Sequence, residues 1–166
     1  RLFKALQAFV AQCPDQKLDG FRQMVANAPL EWRGAECTQL AAARRLTLVL
    51  DETHSTTNEL VNVFVAERGA LHWEQAYSAS DGTVTQHMLD NYGYAEIIGK
   101  HGPFLSEKFR AGIAVYGPGI DYPLHRHQAE EIYAVIAGRA SFRLGDGQPV
   151  EREAGEVIYH PSQVYH

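Results

Sequence analysis

The chain lacks the features that mark membrane, secreted or nucleic-acid-binding proteins. Its longest apolar runs, such as residues 46–50, are far shorter than the roughly 20 residues that cross a bilayer. Residues 1–12 carry charges and glutamines where a signal peptide has a continuous apolar stretch. The formal net charge is −5, and no basic cluster stands out beyond Arg44 and Arg45. A nucleic-acid-binding protein would require such a cluster. We therefore expect a soluble cytoplasmic protein with neither a membrane nor a nucleic-acid partner.

Cysteine is scarce as well. The two present, Cys13 and Cys37, form no CxxC motif, which indicates a reducing compartment or simply two buried thiols. By contrast, 45% of the 166 residues are apolar, which is within the range of globular proteins. This length supports one domain with a sizeable core, and the composition argues against wholesale disorder.

The N-terminal part of the chain shows the apolar spacing of helices. Five segments are predicted to be helical or to continue the helical part: residues 2–10, 15–28, 40–50, 58–68 and 71–77. Asp15 is a candidate cap for the second of these helices. The run Val61–Val65 in the fourth is also compatible with a strand. We expect residues 1–90 to form a mainly helical region.

After Asn91 the apolar period changes from about 3.6 to 2, which is typical of strands. Residues 92–98 and 109–115 alternate in this way, and residues 132–136 are β-branched and aromatic. Glycines and prolines separate these short segments, so the pattern predicts a β-barrel or sandwich. We expect residues 91–166 to form this barrel, packed with the helices as one compact α+β unit.

One histidine pair has the spacing of a metal site. Side chains two apart in a strand share a face, so His125 and His127 direct two imidazoles to one point. Glu131 and Tyr133 are also two apart, on the next predicted strand. The remaining histidines have no partner at ligand spacing and are interpreted as surface residues or as residues around the site: His54, His72, His87 and His101.

This pattern resembles the cupin family. Five residues match the first cupin signature without departure: Gly119, His125, His127, Glu131 and Gly138. Gly155, Pro161 and His166 fit most of the second signature, although Gln163 stands where that signature has glycine. The resemblance implies a double-stranded β-helix, or jelly-roll barrel, with one metal ion in its mouth and His166 as the fourth ligand.

The fourth ligand has a rival in His160, but Pro161 follows it directly and should bend the chain there. Three imidazoles and a carboxylate suit one divalent transition metal, namely Zn, Fe, Mn, Ni or Co. Calcium fits less well because it takes six or more oxygen ligands. Since a cupin barrel has further strands after this histidine, we expect the natural protein to continue and its C-terminal strands to be missing from this chain.

A wider stretch narrows the resemblance. The segment DYPLHRHQAEEIYAVIAGRASFRL (residues 121–144), preceded by DNYGYAEIIG (residues 90–99), is similar to the cupin-type dimethylsulfoniopropionate (DMSP) lyases of marine bacteria. The similarity covers roughly residues 70–166. It implies a carbon–sulfur lyase that cleaves DMSP to acrylate and dimethyl sulfide. In that family the counterparts of His125, His127, Glu131 and His166 bind the metal, that of Tyr133 is a ligand or base, and that of Tyr122 lines the pocket.

The implied reaction is a β-elimination, in which a base removes a proton next to the substrate carboxylate. Tyr133 is the predicted base: a free phenol has a pKa of about 10, but a nearby divalent cation favours its anion. The alternative is a plain aromatic residue of the barrel core. Tyr122 is expected to contact the sulfonium, an interaction of roughly 0.5–2 kcal/mol, or else to pack beside Pro123. Other candidates for the pocket, or for gripping the carboxylate, are Tyr92, Tyr94, Tyr159, Trp73, Lys108 and Arg110.

Other cupin activities use a similar site. An iron-dependent cupin dioxygenase acting on a small molecule has the same ligands, a sugar isomerase has a more polar pocket, and storage or sensor cupins often lose ligands. The lyase is the preferred prediction, with the dioxygenase as the alternative. Because cupin sheet edges often pair between subunits, the resemblance also allows a homodimer.

Overall fold

The structure is a computed structural model that describes residues 1–27, 31–34, 36–44 and 52–166. It has a mixed α+β architecture, which confirms the predicted fold class. The α-helices are α1 (Leu2–Gln12), α2 (Asp19–Asn27), α3 (Asn58–Glu67) and α4 (Gln86–Asn91). The strands are β1 (Glu31–Trp32), β2 (Trp73–Glu74), β3 (Tyr92–Gly99), β4 (Phe104–Leu105), β5 (Ala111–Tyr116), β6 (Glu131–Ala134), β7 (Arg139–Phe142), β8 (Val150–Glu153) and β9 (Val157–His160).

The helices follow the spacing of their apolar residues. The buried residues of α1 are those of its predicted apolar face: Leu2, Ala5, Leu6, Phe9 and Val10. A 3₁₀ turn, Gln16–Leu18, precedes α2, and the Asp15 carboxylate caps this turn by accepting a hydrogen bond from the Lys17 amide. The run Val61–Val65 lies within helix α3 and is therefore helical and not a strand; the buried residues of α3 are Leu60, Val61, Phe64 and Val65. Most of the predicted helix at 40–50 lies outside the described residues, which stop at residue 44 and resume at 52.

One of the helix predictions is wrong. Residues 71–77 do not continue the helical part, because Trp73 and Glu74 form the short strand β2. This strand pairs antiparallel with β3, and Trp73 lies opposite Ala95. Its indole is buried against Phe64 of α3, with ring centroids 5.7 Å apart. The neighbouring strand supplies the hydrogen bonds that define β2, so local spacing does not reveal it.

The central sheet separates the helical core from a polar face. Its order is β1-β4-β3-β2, with β5 also paired to β3. Strand β3 buries Ala95 and Ile97 in the hydrophobic core, which also contains residues of α1 and α3. Because strand side chains alternate, Tyr92, Tyr94 and Glu96 lie on the opposite face. Strand β5 is antiparallel to β3 and places Tyr116 opposite Tyr92.

The C-terminal strands form two further ladders, β6 with β9 and β7 with β8. Within the described residues the strands therefore form an open sheet and two ladders, and no closed barrel is present. The predicted boundary at residue 90 falls within α4, but β1 and β2 precede it and join the same sheet as β3. The division into residues 1–90 and 91–166 stays a prediction. Cys13 is buried, whereas Cys37 is exposed.

Candidate metal and tyrosine site

Backbone pairing brings the predicted ligands together. The segment that carries His125 and His127 belongs to no named strand, but His125 and His166 exchange two backbone hydrogen bonds, of 3.0 and 2.9 Å. The Gln163 amide donates to the His127 carbonyl at 2.8 Å. Glu131 begins β6 on the adjacent ladder. Two distant parts of the chain therefore face each other across one pocket.

The doubtful position in the second cupin signature has a structural explanation. Gln163 is the non-glycine residue with a positive φ, 62°, within the described part of the chain. Glycine adopts this left-handed conformation without strain, whereas for other residues it costs about 1–2 kcal/mol of conformational energy. The loop before His166 thus keeps the conformation that glycine favours, although the residue there is glutamine.

The three imidazoles are oriented in the same way. Each Nδ1 bonds to a backbone carbonyl two residues away: His125 to Pro123 (3.0 Å), His127 to Ala129 (2.8 Å) and His166 to Val164 (3.0 Å). Because a carbonyl accepts, each Nδ1 must carry the hydrogen, which leaves Nε2 as the lone-pair atom. Such bonds fix the tautomer of metal-binding histidines.

The ligand atoms converge around Glu131. His127 Nε2 lies 3.2 Å from Glu131 Oε1, and His166 Nε2 lies 3.3 Å from Glu131 Oε2. One ligand atom from each of His125, His127, Glu131 and His166 lies within 4.8 Å of all the others. Three of these atoms, His127 Nε2, His166 Nε2 and Glu131 Oε2, are buried and have no hydrogen-bonding partner among the described residues. Buried polar atoms are rarely unpaired, so this set fits a cation between them.

The electrostatics favour the protonation states that bind metals. Burial alone would raise the pKa of Glu131, but His160 and the three neighbouring imidazoles outweigh it and hold that pKa below its usual range. Burial lowers the pKa of His166. The carboxylate is therefore held as an anion and the His166 imidazole as the neutral base, which are the forms that coordinate a divalent ion.

His160 lies beside this cluster rather than being turned away by Pro161. It ends β9, is 2% exposed, and stacks on His166 with ring centroids 4.2 Å apart. Its Nδ1 is 4.0 Å from Glu131 Oε2, and neither of its ring nitrogens has a hydrogen-bonding partner in the described structure. Unlike the other three histidines, it has no backbone carbonyl that fixes its tautomer. The pocket thus contains both histidines that the sequence offered as the fourth ligand.

Tyrosine rings line the pocket next to the histidines. The ring of Tyr122 lies 5.3 Å from that of His125, and three further tyrosine rings lie within 5.5 Å of it. These three are Tyr77, Tyr92 and Tyr116. The Tyr133 hydroxyl is 3.5 Å from that of Tyr116, and the Tyr133 ring lies 5.2 Å from that of His160 on the other side. Tyr133 therefore links the tyrosines to the cluster around Glu131.

Sequence reasoning missed two members of this tyrosine wall. The pairing of β3 with β5 places Tyr116 opposite Tyr92, so a correct prediction of that strand pairing would have identified Tyr116. Tyr77 lies in no helix or strand, and no spacing signal indicated it.

Several other candidates lie elsewhere. Trp73 is part of the core, and Tyr159 is 36% exposed. Arg110 pairs with Glu96 at 3.6 Å, and Lys108 is exposed. We therefore do not assign them to the pocket.

The protein surroundings of Tyr133 and Tyr122 favour the neutral phenols by raising the pKa of both hydroxyls. Burial raises the pKa of Tyr133, and the nearby Glu131 charge raises it further, whereas a hydrogen bond from Tyr116 acts in the opposite direction. Burial likewise raises the pKa of Tyr122. A phenolate at position 133 therefore needs a nearby positive charge that outweighs both burial and Glu131.

The helical layer, the sheets and the histidine-rich pocket are those of a cupin protein. The sequence model for dimethylsulfoniopropionate lyases matches residues 21–166, and the chain therefore belongs to the DMSP lyase family. This confirms the resemblance seen in the sequence. Among the helices that the structure describes, none combines the length and apolar character needed to span a membrane.

Individual relatives agree with this assignment. DMSP lyase DddQ of Ruegeria pomeroyi strain DSS-3 is 30% identical over 112 residues, which are 68% of this chain and 55% of that protein. The crystal structure of DddQ from Ruegeria pomeroyi DSS-3 superimposes with a TM-score of 0.85 at 26% identity, covering 99% of this chain and 80% of the other. The crystal structures of the DMSP lyases RdDddP and RnDddQII include a chain with a TM-score of 0.84 at 28% identity, covering 99% and 81%. This chain thus spans about half the length of the curated relative that it matches.

Proposed function

We propose that the protein is a metal-dependent lyase that cleaves DMSP to acrylate and dimethyl sulfide. The observation that carries this proposal is the meeting of two groups of side chains in one pocket. Imidazole and carboxylate atoms of the cluster around Glu131 have no hydrogen-bonding partner among the described residues. Beside them lie the ring of Tyr133, 5.2 Å from that of His160, and the ring of Tyr122, 5.3 Å from that of His125. Family membership supports the same activity.

His125, His127, Glu131 and His166 would hold a single divalent transition metal. When bound, the ion supplies Lewis acidity that stabilises negative charge on a substrate carboxylate and favours the anion of a neighbouring phenol. The Nδ1 hydrogen bonds of the histidines keep their lone pairs aimed at one point before any ligand arrives. Zn, Fe, Mn, Ni and Co all remain compatible with this ligand set.

Tyr133 is proposed as the base. Its phenolate oxygen takes the proton from the carbon next to the substrate carboxylate. The electron pair of that C–H bond forms the new C=C bond, and the C–S bond breaks with its electrons going to sulfur. The products are acrylate and neutral dimethyl sulfide, so the leaving group needs no proton. The Tyr116 hydroxyl, 3.5 Å from that of Tyr133, is suited to donate a hydrogen bond to the phenolate.

The tyrosine wall suits the other end of the substrate. Aromatic faces attract cations by roughly 0.5–2 kcal/mol, and a sulfonium carries its charge among methyl groups that no hydrogen bond can satisfy. Tyr122 is central to this wall, because the rings of Tyr77, Tyr92 and Tyr116 all surround it. We propose that Tyr122 and its neighbours bind the dimethylsulfonium group.

The test is to incubate the purified, metal-analysed protein with DMSP and to measure dimethyl sulfide in the headspace and acrylate in solution. Equal amounts of both products are expected. Tyr133→Phe should lower the rate by about 10²–10⁴-fold, the usual contribution of a general base. Tyr159→Phe is the matched control, because Tyr159 is exposed and lies outside the tyrosine wall. The proposal would be contradicted if the fully metallated protein released no dimethyl sulfide. Oxygen consumption in the presence of another small molecule would then support the dioxygenase alternative.

A further inference from the structure

A second group of metal-binding side chains lies away from the central pocket. Glu74 Oε1 is 2.6 Å from His101 Nδ1 and 4.0 Å from His72 Nε2. The two imidazole rings are 5.8 Å apart, and one ligand atom from each of the three residues lies within 4.8 Å of the others. No spacing in the sequence links His72 to His101, so only the fold brings them together.

The sheet explains how these residues meet. His72 directly precedes β2 and Glu74 ends it, and side chains two apart on an extended segment share a side. Strand β2 runs antiparallel to β3, and the chain turns after Gly99 to return His101 towards Glu74. The carboxylate of Glu96, whose side chain is 5% exposed, fixes this turn by accepting a 2.7 Å hydrogen bond from the His101 amide.

A further hydrogen bond orients His72 for coordination. Its Nδ1 lies 2.8 Å from the Glu36 carbonyl, so Nδ1 carries the hydrogen and the lone pair of Nε2 faces Glu74. This is the same arrangement that orients the three histidines of the central pocket. The side chain of His72 is 24% exposed and that of Glu74 is 19% exposed, so both are partly withdrawn from water, while His101 at 44% leaves an opening to solvent.

The local charge balance favours a cation. Besides Glu74, the carboxylate of Glu96 lies beside this cluster, where it accepts from the His101 amide, and Arg110 pairs with Glu96 at 3.6 Å. Burial, together with the charges of both carboxylates, raises the pKa of the neighbouring Tyr94. Arg110 therefore balances the charge of Glu96, whereas the carboxylate of Glu74 faces the two imidazoles, 2.6 Å from His101 Nδ1 and 4.0 Å from His72 Nε2.

We propose that His72, Glu74 and His101 form a second binding site for a borderline divalent metal such as Zn²⁺, with solvent completing the coordination. Ligands of a tetrahedral zinc ion at about 2.1 Å stand about 3.4 Å apart, a value between the two distances measured from Glu74. The site shares no residue with the cluster around Glu131. A metal there joins the edge strand β2 to the turn after β3, so its role is to stabilise the sheet edge.

Zinc binding to variants of the chelator-stripped protein tests this proposal. After dialysis against micromolar ZnCl₂, the zinc content per chain is measured by mass spectrometry. We expect about two zinc ions in the unchanged protein, one in Glu131→Gln, one in Glu74→Gln and none in the double variant. His101→Gln, at an exposed position, should also lose one ion, whereas His54→Gln, which removes an exposed histidine outside both clusters, should lose none.

Thermal unfolding gives an independent readout. Zinc should raise the Tm of Glu131→Gln, and this rise should disappear when Glu74→Gln is added. Circular dichroism of the same samples shows whether each variant is folded. The proposal is overturned if Glu131→Gln alone removes all bound zinc, or if folded Glu74→Gln and His101→Gln bind as much zinc as the unchanged protein. If the central cluster binds no zinc, the difference in zinc content between the unchanged protein and Glu74→Gln still tests the second site.

Discussion

The hydroxyl oxygen of Tyr116 lies 3.5 Å from that of Tyr133, across the gap between the central sheet and the β6–β9 ladder. Tyr116 comes from the strand that pairs with β3, and Tyr133 comes from the strand that also carries Glu131. This contact joins the tyrosine wall to the strand that carries Glu131, so we expect the proposed base to respond to a residue outside the cluster around Glu131.

Tyr116→Phe should slow the reaction without abolishing it. The change removes a hydrogen-bond donor to the phenolate of Tyr133 while keeping the ring in the tyrosine wall. A hydrogen bond to a charged group contributes about 1.5–3 kcal/mol, so kcat should fall roughly 10- to 100-fold. Steady-state kinetics with DMSP measure this effect, and KM should change little because the ring remains. An unchanged kcat would show that Tyr116 does not assist the base.

Glu131→Gln should lose the central metal. The substitution keeps the shape of the side chain but removes the charge that faces His127 and His166 at 3.2 and 3.3 Å. Since even residues behind the direct ligands alter metal affinity by about 10–100-fold, we expect a loss of at least about 100-fold here. Metal competition with a fluorescent chelator gives the affinity. Glu130→Gln, at the exposed neighbouring position, is the matched control and should bind the central metal normally.

Gln163→Gly should stabilise the protein. Relief of the left-handed backbone at φ 62° gains about 1–2 kcal/mol, and the greater freedom of glycine in the unfolded chain offsets part of it. We expect a net gain of up to about 1 kcal/mol, visible as a higher midpoint in urea unfolding at an unchanged m-value. Gln163→Ala keeps the strain and should show no such gain. Equal midpoints for the glycine and alanine variants would argue against strain at this position.

The Asp15 cap should stabilise the protein only above acidic pH. The hydrogen bond from the Lys17 amide is the main cause that lowers the pKa of Asp15 below its ordinary 3.8. A carboxylate whose pKa is lower in the folded state stabilises the protein above the unfolded-state pKa, and this contribution disappears as the pH falls through the folded-state pKa. Asp15→Ala should therefore cost about 0.5–1 kcal/mol at pH 7 and much less near pH 2.

Urea unfolding at several pH values measures this difference. Asp15→Asn is the matched control, because an asparagine cap accepts the same hydrogen bond but does not titrate. If the cost of Asp15→Ala were the same at pH 7 and near pH 2, the charge of the carboxylate would have no part in the cap.

The periodicity of the sequence predicted those features that depend on the conformation of a single segment. The spacing of Leu2 to Val10 gave the buried face of α1, and the interval between His125 and His127 gave two imidazoles on one side of an extended chain. Glu131 was found through the cupin signature, because strand spacing alone pairs it with Tyr133. The roles of these residues stay predictions, as does the base at Tyr133, but their convergence could be foreseen because it follows from local geometry and the resemblance to cupins.

Contacts between distant segments that no resemblance covered could not be foreseen. Strand β2 exists only through its pairing with β3, so residues 71–77 looked helical. His72 and His101 lie close together because β2 pairs antiparallel with β3, which places the residue before β2 near the turn after β3. The spacing of the two histidines in the sequence does not indicate this contact. Tyr116 joined the pocket through the register of β3 and β5. The predicted cytoplasmic location and the predicted homodimer depend on the cell and on a second subunit, which a single chain does not contain, so both stay predictions.

The two walls of the pocket have separate origins along the chain, and this has an evolutionary consequence. The proposed metal ligands come from residues 125–166, whereas Tyr77, Tyr92, Tyr116 and Tyr122 all precede them. We therefore expect a substitution at Tyr77, which packs on Tyr122, to alter which compound the proposed lyase accepts while leaving the proposed ligands in place. If the proposal holds, the compound that is accepted and the step that cleaves it could change separately in evolution, except where Tyr116 contacts Tyr133.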